Sequence, residues 1–322
     1  MISRFQELSQ EFSILFKQKH FPAYPETLYG AASYMLEEGG KRIRPVLCLM
    51  GNELFGPIQA DSWKIAIAIE LFHNFTLIHD DIMDKAPLRR GRATVHARFD
   101  ESTALLAGDV MLLQAYEYMN ETDSKHVQHL IRLLNKTGRE VCEGQQLDMD
   151  FEKIHSITLD AYMHMIELKT AVFLAGSLRM GAVVAGASES DQQNIYDFGK
   201  NLGLAFQVQD DWLDTFGDPS TFGKQRGGDI TANKKTFLLV KCLESASPEQ
   251  KQDLIELLIY AGPDKIDRMT AIYRAAGVDR VAQEAKNYYM GKAYAHLENI
   301  QVPERNKTAL KELAASLLER KI

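Results

Sequence analysis

The sequence predicts a single all-α domain spanning residues 1–322. Three observations carry this. No proline lies between Leu88 and Asp218, where one would interrupt helical hydrogen bonding. Apolar residues in that stretch recur at helical spacing, Leu105, Val110, Leu113 and Tyr116 in one segment and Ile131, Leu134 and Val141 in another. Alternating strand patterns are nearly absent, and no Gly/Ser/Pro-rich linker, charge block or internal repeat divides the chain. Length alone, at 322 residues, gives a prior of about two domains but allows one large one.

Composition narrows the class. With 45% hydrophobic and 25% charged residues the chain reads as an ordinary globular protein, able to bury a core without staples. It carries 37 Lys+Arg against 44 Asp+Glu, a net charge of −7, which argues against nucleic-acid binding as the main activity. Cys48, Cys142 and Cys242 lie far apart with no CxxC pair, which excludes a zinc knuckle or thioredoxin-type motif and suggests a reducing compartment. The first residues lack the apolar core of a signal peptide. The longest apolar stretch, Ala171 to Ala187, is interrupted by Arg179 and by glycines, too short and polar to span a bilayer. A cytoplasmic protein without integral membrane association is expected.

Taken in chain order, the elements are helices separated by charged turns. Gly39-Gly40-Lys41-Arg42-Ile43-Arg44-Pro45 is a basic turn whose glycines let the backbone approach a ligand. An apolar run, Ile67 to Ile78, leads into Asp80-Asp81-Ile82-Met83-Asp84. A second basic turn, Arg89-Arg90-Gly91-Arg92, follows Pro87. Lys169-Thr170 lies in a later helix, and the run Leu202 to Val208 leads into Asp210-Asp211-Trp212-Leu213-Asp214. Gly223-Lys224 and Asn233-Lys234-Lys235-Thr236 come next. Ser247-Pro248-Glu249 starts a helix, and Gly262-Pro263-Asp264 separates it from another.

The two acidic segments both match D-D-x-x-D, a pattern expected by chance about 0.1 times in a chain of this aspartate content. One helical turn separates Asp80 from Asp84, and Asp210 from Asp214, so each pair shares a face. Like charges at that spacing destabilise an isolated helix. Solvated faces or helix caps would explain the aspartates but not the apolar runs before them, which place both motifs mid-helix and partly buried. Buried carboxylates need compensation. Hard oxygen donors without a His/Cys cluster favour Mg²⁺, which completes its shell with phosphates and waters. Arginine forks in the two basic turns match phosphate oxygens. His73, seven residues before Asp80, shares its helix face. Two acidic and two basic sites point to two phosphorylated substrates.

Together these residues resemble the trans-prenyltransferases, the isoprenyl diphosphate synthases. The match runs in order through GGKRIRP at 39–45, DDIMDKAPLRRG at 80–91, KT at 169–170, FQVQDDWLD at 206–214, GK at 223–224 and NKKT at 233–236. The resemblance implies the isoprenoid synthase fold, a helical bundle around a large central cavity with the two motifs facing each other, and a homodimer. It implies that Asp80, Asp84 and Asp210 bind three Mg²⁺ ions, with Asp81, Asp211 and Asp214 acting through waters. Arg89, Lys169, Lys224 and Lys234 would contact an allylic diphosphate. Lys41, Arg44, His73 and Arg90 would hold isopentenyl diphosphate. Thr170 and Gln207 would offer oxygens near a developing carbocation, with Gln145 in support. Ala93 stands where the family often has proline, a departure confined to the loop after RRG.

The activity so implied is condensation of isopentenyl diphosphate with dimethylallyl, geranyl or farnesyl diphosphate. Phe75, five residues before the first aspartate, would floor the chain pocket, or is simply core; the pattern favours a geranylgeranyl (C20) product over farnesyl (C15) or longer chains. A class I terpene cyclase would lack the second D-D-x-x-D, GGKRIRP and RRG. A non-catalytic synthase subunit would have degraded motifs. A phosphohydrolase built on His79-Asp80 would need further His ligands. Six aspartates account for most of the net −7; the rest of the chain is nearly neutral.

Overall fold

The computed structural model describes residues 3–37, 39–154, 156–218 and 226–319. The helices are α1 (Arg4–Leu15), α2 (Glu26–Leu36), α3 (Ile43–Glu53), α4 (Ala60–Met83), α5 (Val95–Arg98), α6 (Glu101–Asn120), α7 (Ser124–Glu152), α8 (Leu159–Ile166), α9 (Val172–Val184), α10 (Glu189–Phe216), α11 (Gly228–Thr231), α12 (Phe237–Ser245), α13 (Pro248–Ile259), α14 (Lys265–Ala275), α15 (Val278–Asn299) and α16 (Glu304–Glu319). A turn of π-helix, Glu167–Ala171, joins α8 to α9. Among the described residues the only sheet is the two-residue hairpin of β1 (Leu88–Arg89) and β2 (Arg92–Ala93). The all-α expectation holds.

The described residues fall into two compact units. The first comprises those within Met1–Leu134, Ser177–Gln192 and Val302–Leu310; the second, those within Asn135–Gly176, Gln193–Gln301 and Lys311–Ile322.

In the first unit α4 packs along α6 and against α3. The apolar run predicted ahead of the first motif supplies the buried core of α4: Ile67, Ile69, Leu71, Phe72 and Ile78. The motif itself is not mid-helix. Asp84 is the C-cap of α4, so the carboxylates of Asp80 and Asp84 stand at a helix end, where the last turn has no further helix to cover it. Helical spacing in 105–116 is real, but Leu105 and Leu113 are 49% and 63% exposed, and Leu106 beside them is exposed too.

The second unit is built on α8, α10, α12, α13 and α14, whose Tyr162, Met165, Val208, Phe237, Leu254 and Tyr273 share one apolar cluster. Here Leu202, Leu204, Ala205 and Val208 of the predicted run are buried, and the second motif occupies the last two turns of α10. Ser247 caps α13 through a reciprocal bond with Gln250, as its Ser-Pro-Glu start predicts. Gly144 of α7 lets the π-turn come close: a Cβ there would collide with the backbone of Lys169. All three cysteines are free thiols, Cys48 and Cys242 buried and Cys142 exposed. No helix among the described residues is long and apolar enough to cross a membrane.

Candidate active site

In the first unit the end of α4 presents Asp80, half-buried, and Asp84, exposed, on one face. Asp81 points the other way and is 2% exposed. The hairpin after α4 brings its partner. Arg90 and Gly91 both adopt left-handed backbone, φ 50° and 82°, the conformation a two-residue turn between paired strands requires. That turn aims Arg89 back at α4. Its fork closes on Asp81, Nη2 to Oδ1 at 2.8 Å and Nε to the two oxygens at 3.0 and 2.9 Å, with Asp80 Oδ2 at 3.8 Å.

Beside it lies a cleft of about 150 Å³ whose lining includes Lys41, Arg44, Glu70, His73 and Arg90. These come from the Gly39–Arg44 turn, α4 and the hairpin. Arg90 donates to the Gly39 carbonyl, which ties hairpin to turn. Arg44 Nη1 and His73 Nε2 lie 3.1 Å apart; arginine can only donate, so His73 accepts there. Burial above all, then the guanidiniums of Arg44, Arg90, Arg89 and Arg42, hold the His73 pKa well below its usual 6.5. Burial likewise pulls Arg44 down to about 10, with Glu70 opposing. The cleft is thus cationic around a neutral imidazole, a setting suited to a multiply charged anion.

Glu70 is the residue that the sequence pattern did not single out. It pairs with Arg42 and accepts from Asn74 Nδ2 at 3.3 Å, and its Oε2 is buried without a hydrogen-bond partner among the described residues. A lone carboxylate inside the apolar run of α4 was the available signal. Phe75 is half-buried, its ring edge-on to Phe72 and His79 at centroid distances of 5.4 and 4.8 Å.

In the second unit Lys169 and Thr170 sit on the π-turn; such turns are often found at functional sites. Lys169 pairs with Asp148 of α7. Asp210 is half-buried on α10. Asp211 is 3% exposed and receives three hydrogen bonds: from the Tyr162 hydroxyl, from the Phe237 amide at 2.7 Å and from Gln207 Nε2 at 3.2 Å. Burial pushes its pKa up to about 7, against the lowering effect of those bonds. Asp214 accepts from the Asp229 amide at 3.0 Å. The Lys234 amide in turn donates to the Asp229 carbonyl at 3.0 Å, while its side chain is exposed. Gln145 is buried with its Nε2 lacking a partner among the described residues. Lys224 lies outside the described residues.

The structure therefore gathers Lys41, Arg44, His73 and Arg90 in one cleft, with Asp80, Asp84 and Arg89 at the end of the same helix. It places Lys169, Thr170, Gln207, Asp210 and Lys234 in the second unit. Asp81, Asp211 and Asp214, expected to act through waters, are buried, and each accepts hydrogen bonds from protein donors, since a buried carboxylate left to itself is costly.

Among the described residues no three His, Cys, Asp or Glu side chains gather into a closed metal cage. Asp80 and Asp84 in the first unit, and Asp210 in the second, each offer few hard oxygen donors. Either fits Mg²⁺, which binds through one or two carboxylates and leaves positions for phosphate oxygens and water.

Paired aspartate helices, each accompanied by basic side chains, define an all-α enzyme of diphosphate chemistry. The chain belongs to the polyprenyl synthetase family, whose model matches residues 25–276. It is 37% identical over 297 residues to a short chain isoprenyl diphosphate synthase of Methanothermobacter thermautotrophicus, covering 92% of this chain and 91% of that one. It is 38% identical over 305 residues to a geranylgeranyl pyrophosphate synthase of Geoglobus acetivorans, covering 92% of each. A crystal structure of a geranylgeranyl pyrophosphate synthase superposes with a TM-score of 0.93 at 40% identity, over 99% of this chain and all of that one. The protein is a trans-prenyltransferase with the isoprenoid synthase fold, of a family that uses divalent metal ions.

Proposed function

We propose that the enzyme condenses isopentenyl diphosphate with an allylic diphosphate to give all-trans geranylgeranyl diphosphate, a C20 product. The observation that carries the reading is the segregation within the first unit. Lys41, Arg44, His73 and Arg90 form a cationic cleft fit for one diphosphate, while Asp80 and Asp84 stand apart at the helix end, fit for a metal-borne second one.

In this reading Asp80, Asp84 and Asp210 hold three Mg²⁺ ions, which neutralise charge on the allylic diphosphate when bound. Arg89, Lys169, Lys224 and Lys234 hold the same diphosphate and stabilise the charge it gains as the allylic C–O bond ionises. Lys41, Arg44, His73 and Arg90 orient isopentenyl diphosphate so that its double bond attacks the cation. A new C–C bond forms, and a proton leaves to the departed diphosphate. The Gln207 amide donates its N–H to Asp211, which leaves its oxygen, with the Thr170 hydroxyl, for the cation. Phe75 floors the growing chain. Both units act as one domain, supported by four of the five unit boundaries falling inside helices, in α7, α9, α10 and α16. The exposed Leu105, Leu106 and Leu113 face of α6 supports a homodimer, and the free cysteines support a cytoplasmic location.

The test is incubation with Mg²⁺, isopentenyl diphosphate and C5, C10 or C15 primers, followed by product sizing. A C20 product is expected; no condensation with any primer would overturn the reading. Light scattering is expected to give twice the 36.4 kDa chain mass.

A further inference from the structure

Two aspartates of the second motif are buried, and the partners of one of them, Asp211, point to a task other than metal binding. Three of the roughly four acceptor positions of the Asp211 carboxylate are filled by protein donors. Each donor belongs to a segment that carries part of the site. Tyr162 lies on α8, which runs directly into the π-turn with Lys169 and Thr170. Phe237 is the first residue of α12, so its amide has no acceptor within that helix, and Lys234 stands three residues before it. Gln207 lies one turn ahead on α10 itself. The Lys234 segment is fixed from the other side as well: Asn233, in left-handed backbone, accepts from Lys265 Nζ at 2.7 Å.

We infer that Tyr162 and Asp211 are positioning residues, a buried hub that holds the Lys169 turn and the Lys234 segment in register with Asp210 and binds no metal. The hub is polar inside an apolar cluster, so its parts cannot slide without stranding a carboxylate. The inference rests on Asp210, Lys169 and Lys234 serving the allylic diphosphate as proposed above.

Calorimetric titration with inorganic diphosphate, with and without Mg²⁺, separates the cases, alongside KM for each substrate and a melting curve. Asp210→Asn is expected to weaken the Mg²⁺-dependent binding by about 100-fold or more. Asp211→Asn keeps the shape and the oxygen that accepts from Tyr162 and Phe237, and Gln207 can turn its own amide to meet the new NH2, so binding is expected to stay within about threefold of the parent. Tyr162→Phe is expected to weaken Mg²⁺-dependent binding and raise the allylic KM by about tenfold, a loss typical of groups that orient ligands, while KM for isopentenyl diphosphate holds and the melting temperature falls by no more than about 4 °C. Asp211→Asn losing as much as Asp210→Asn would overturn the inference, since the charge itself would then be needed. Unchanged binding in Tyr162→Phe, or an equal loss in KM for both substrates, would overturn it too. If Tyr162→Phe does not fold, the Asp211→Asn and Asp210→Asn pair decides alone. Parent-like binding in Asp210→Asn would instead defeat the site assignment beneath it.

Discussion

The two D-D-x-x-D motifs share a pattern and are held in opposite ways. In the first, the middle aspartate is neutralised by a cation: the Arg89 fork closes on Asp81 at the end of α4, with Asp80 also in reach. In the second, the middle aspartate is held by neutral donors inside α10, and burial pushes Asp211 up to about 7. An open helix end can keep a full counter-charge hydrated. A buried segment instead surrounds its carboxylate with oriented O–H and N–H groups, since a buried ion pair brings two desolvation costs rather than one. The cations of the second unit accordingly lie elsewhere, Lys169 on Asp148 and Lys234 at the surface.

That contrast can be broken most directly at what the motifs share. Asp80→Ala and Asp210→Ala are each expected to lower kcat/KM by about 10³-fold, about 4 kcal/mol, while circular dichroism stays that of a folded protein. Substantial activity in one variant alone would make the motifs functionally unequal.

Stability probes the difference itself. Arg89→Met strands buried Asp81 and should cost about 3 kcal/mol in urea unfolding. Adding Asp81→Asn should recover most of that. Tyr162→Phe removes one neutral donor of three and should cost about 1 kcal/mol. Equal costs would mean that the two carboxylates are compensated alike.

A smaller effect belongs to the first unit. His73 takes up a proton far less readily folded than unfolded. The unfolded chain binds that proton near pH 6.5 and the folded one does not, so stability is lost as pH falls below about 6.5. From pH 7 to 5.5 this contribution amounts to about 1 kcal/mol, and His73→Gln should remove it from the pH dependence of unfolding. An equally steep profile in the variant would show that His73 is not the group concerned.

The last probe reads product rather than energy. An aromatic ring, Phe75, lies five residues before the first motif, where the second has the small Ala205. Phe75→Ala is expected to lengthen the product by at least one C5 unit, measured by product sizing. Unchanged length would make Phe75 plain core.

Much of the site is legible in the amino-acid sequence. A pattern of low chance frequency marks both aspartate motifs, the basic turns and Lys169-Thr170 gain weight only in company with them, and His73 follows from helical spacing. What escapes are partners distant along the chain. Nothing near Asp211 announces Tyr162, 49 residues away, and nothing near Lys169 announces Asp148, 21 residues away. Glu70 does carry a signal, a charge within an apolar run, but only its pairing with Arg42 explains its burial. Leu105 and Leu113 illustrate the opposite limit. Their spacing specifies a helix, yet periodicity cannot say whether an apolar stripe meets a core or solvent.

By itself, then, the sequence determined the helices and the chemistry of the outward groups. Proline placement, apolar periodicity and hydrogen-bonding capacity are local properties that each residue carries wherever it goes. Tertiary structure alone decided which aspartates of each motif turn inward and what compensates them, because the cost of burying a charge depends on the donors that distant segments bring to it.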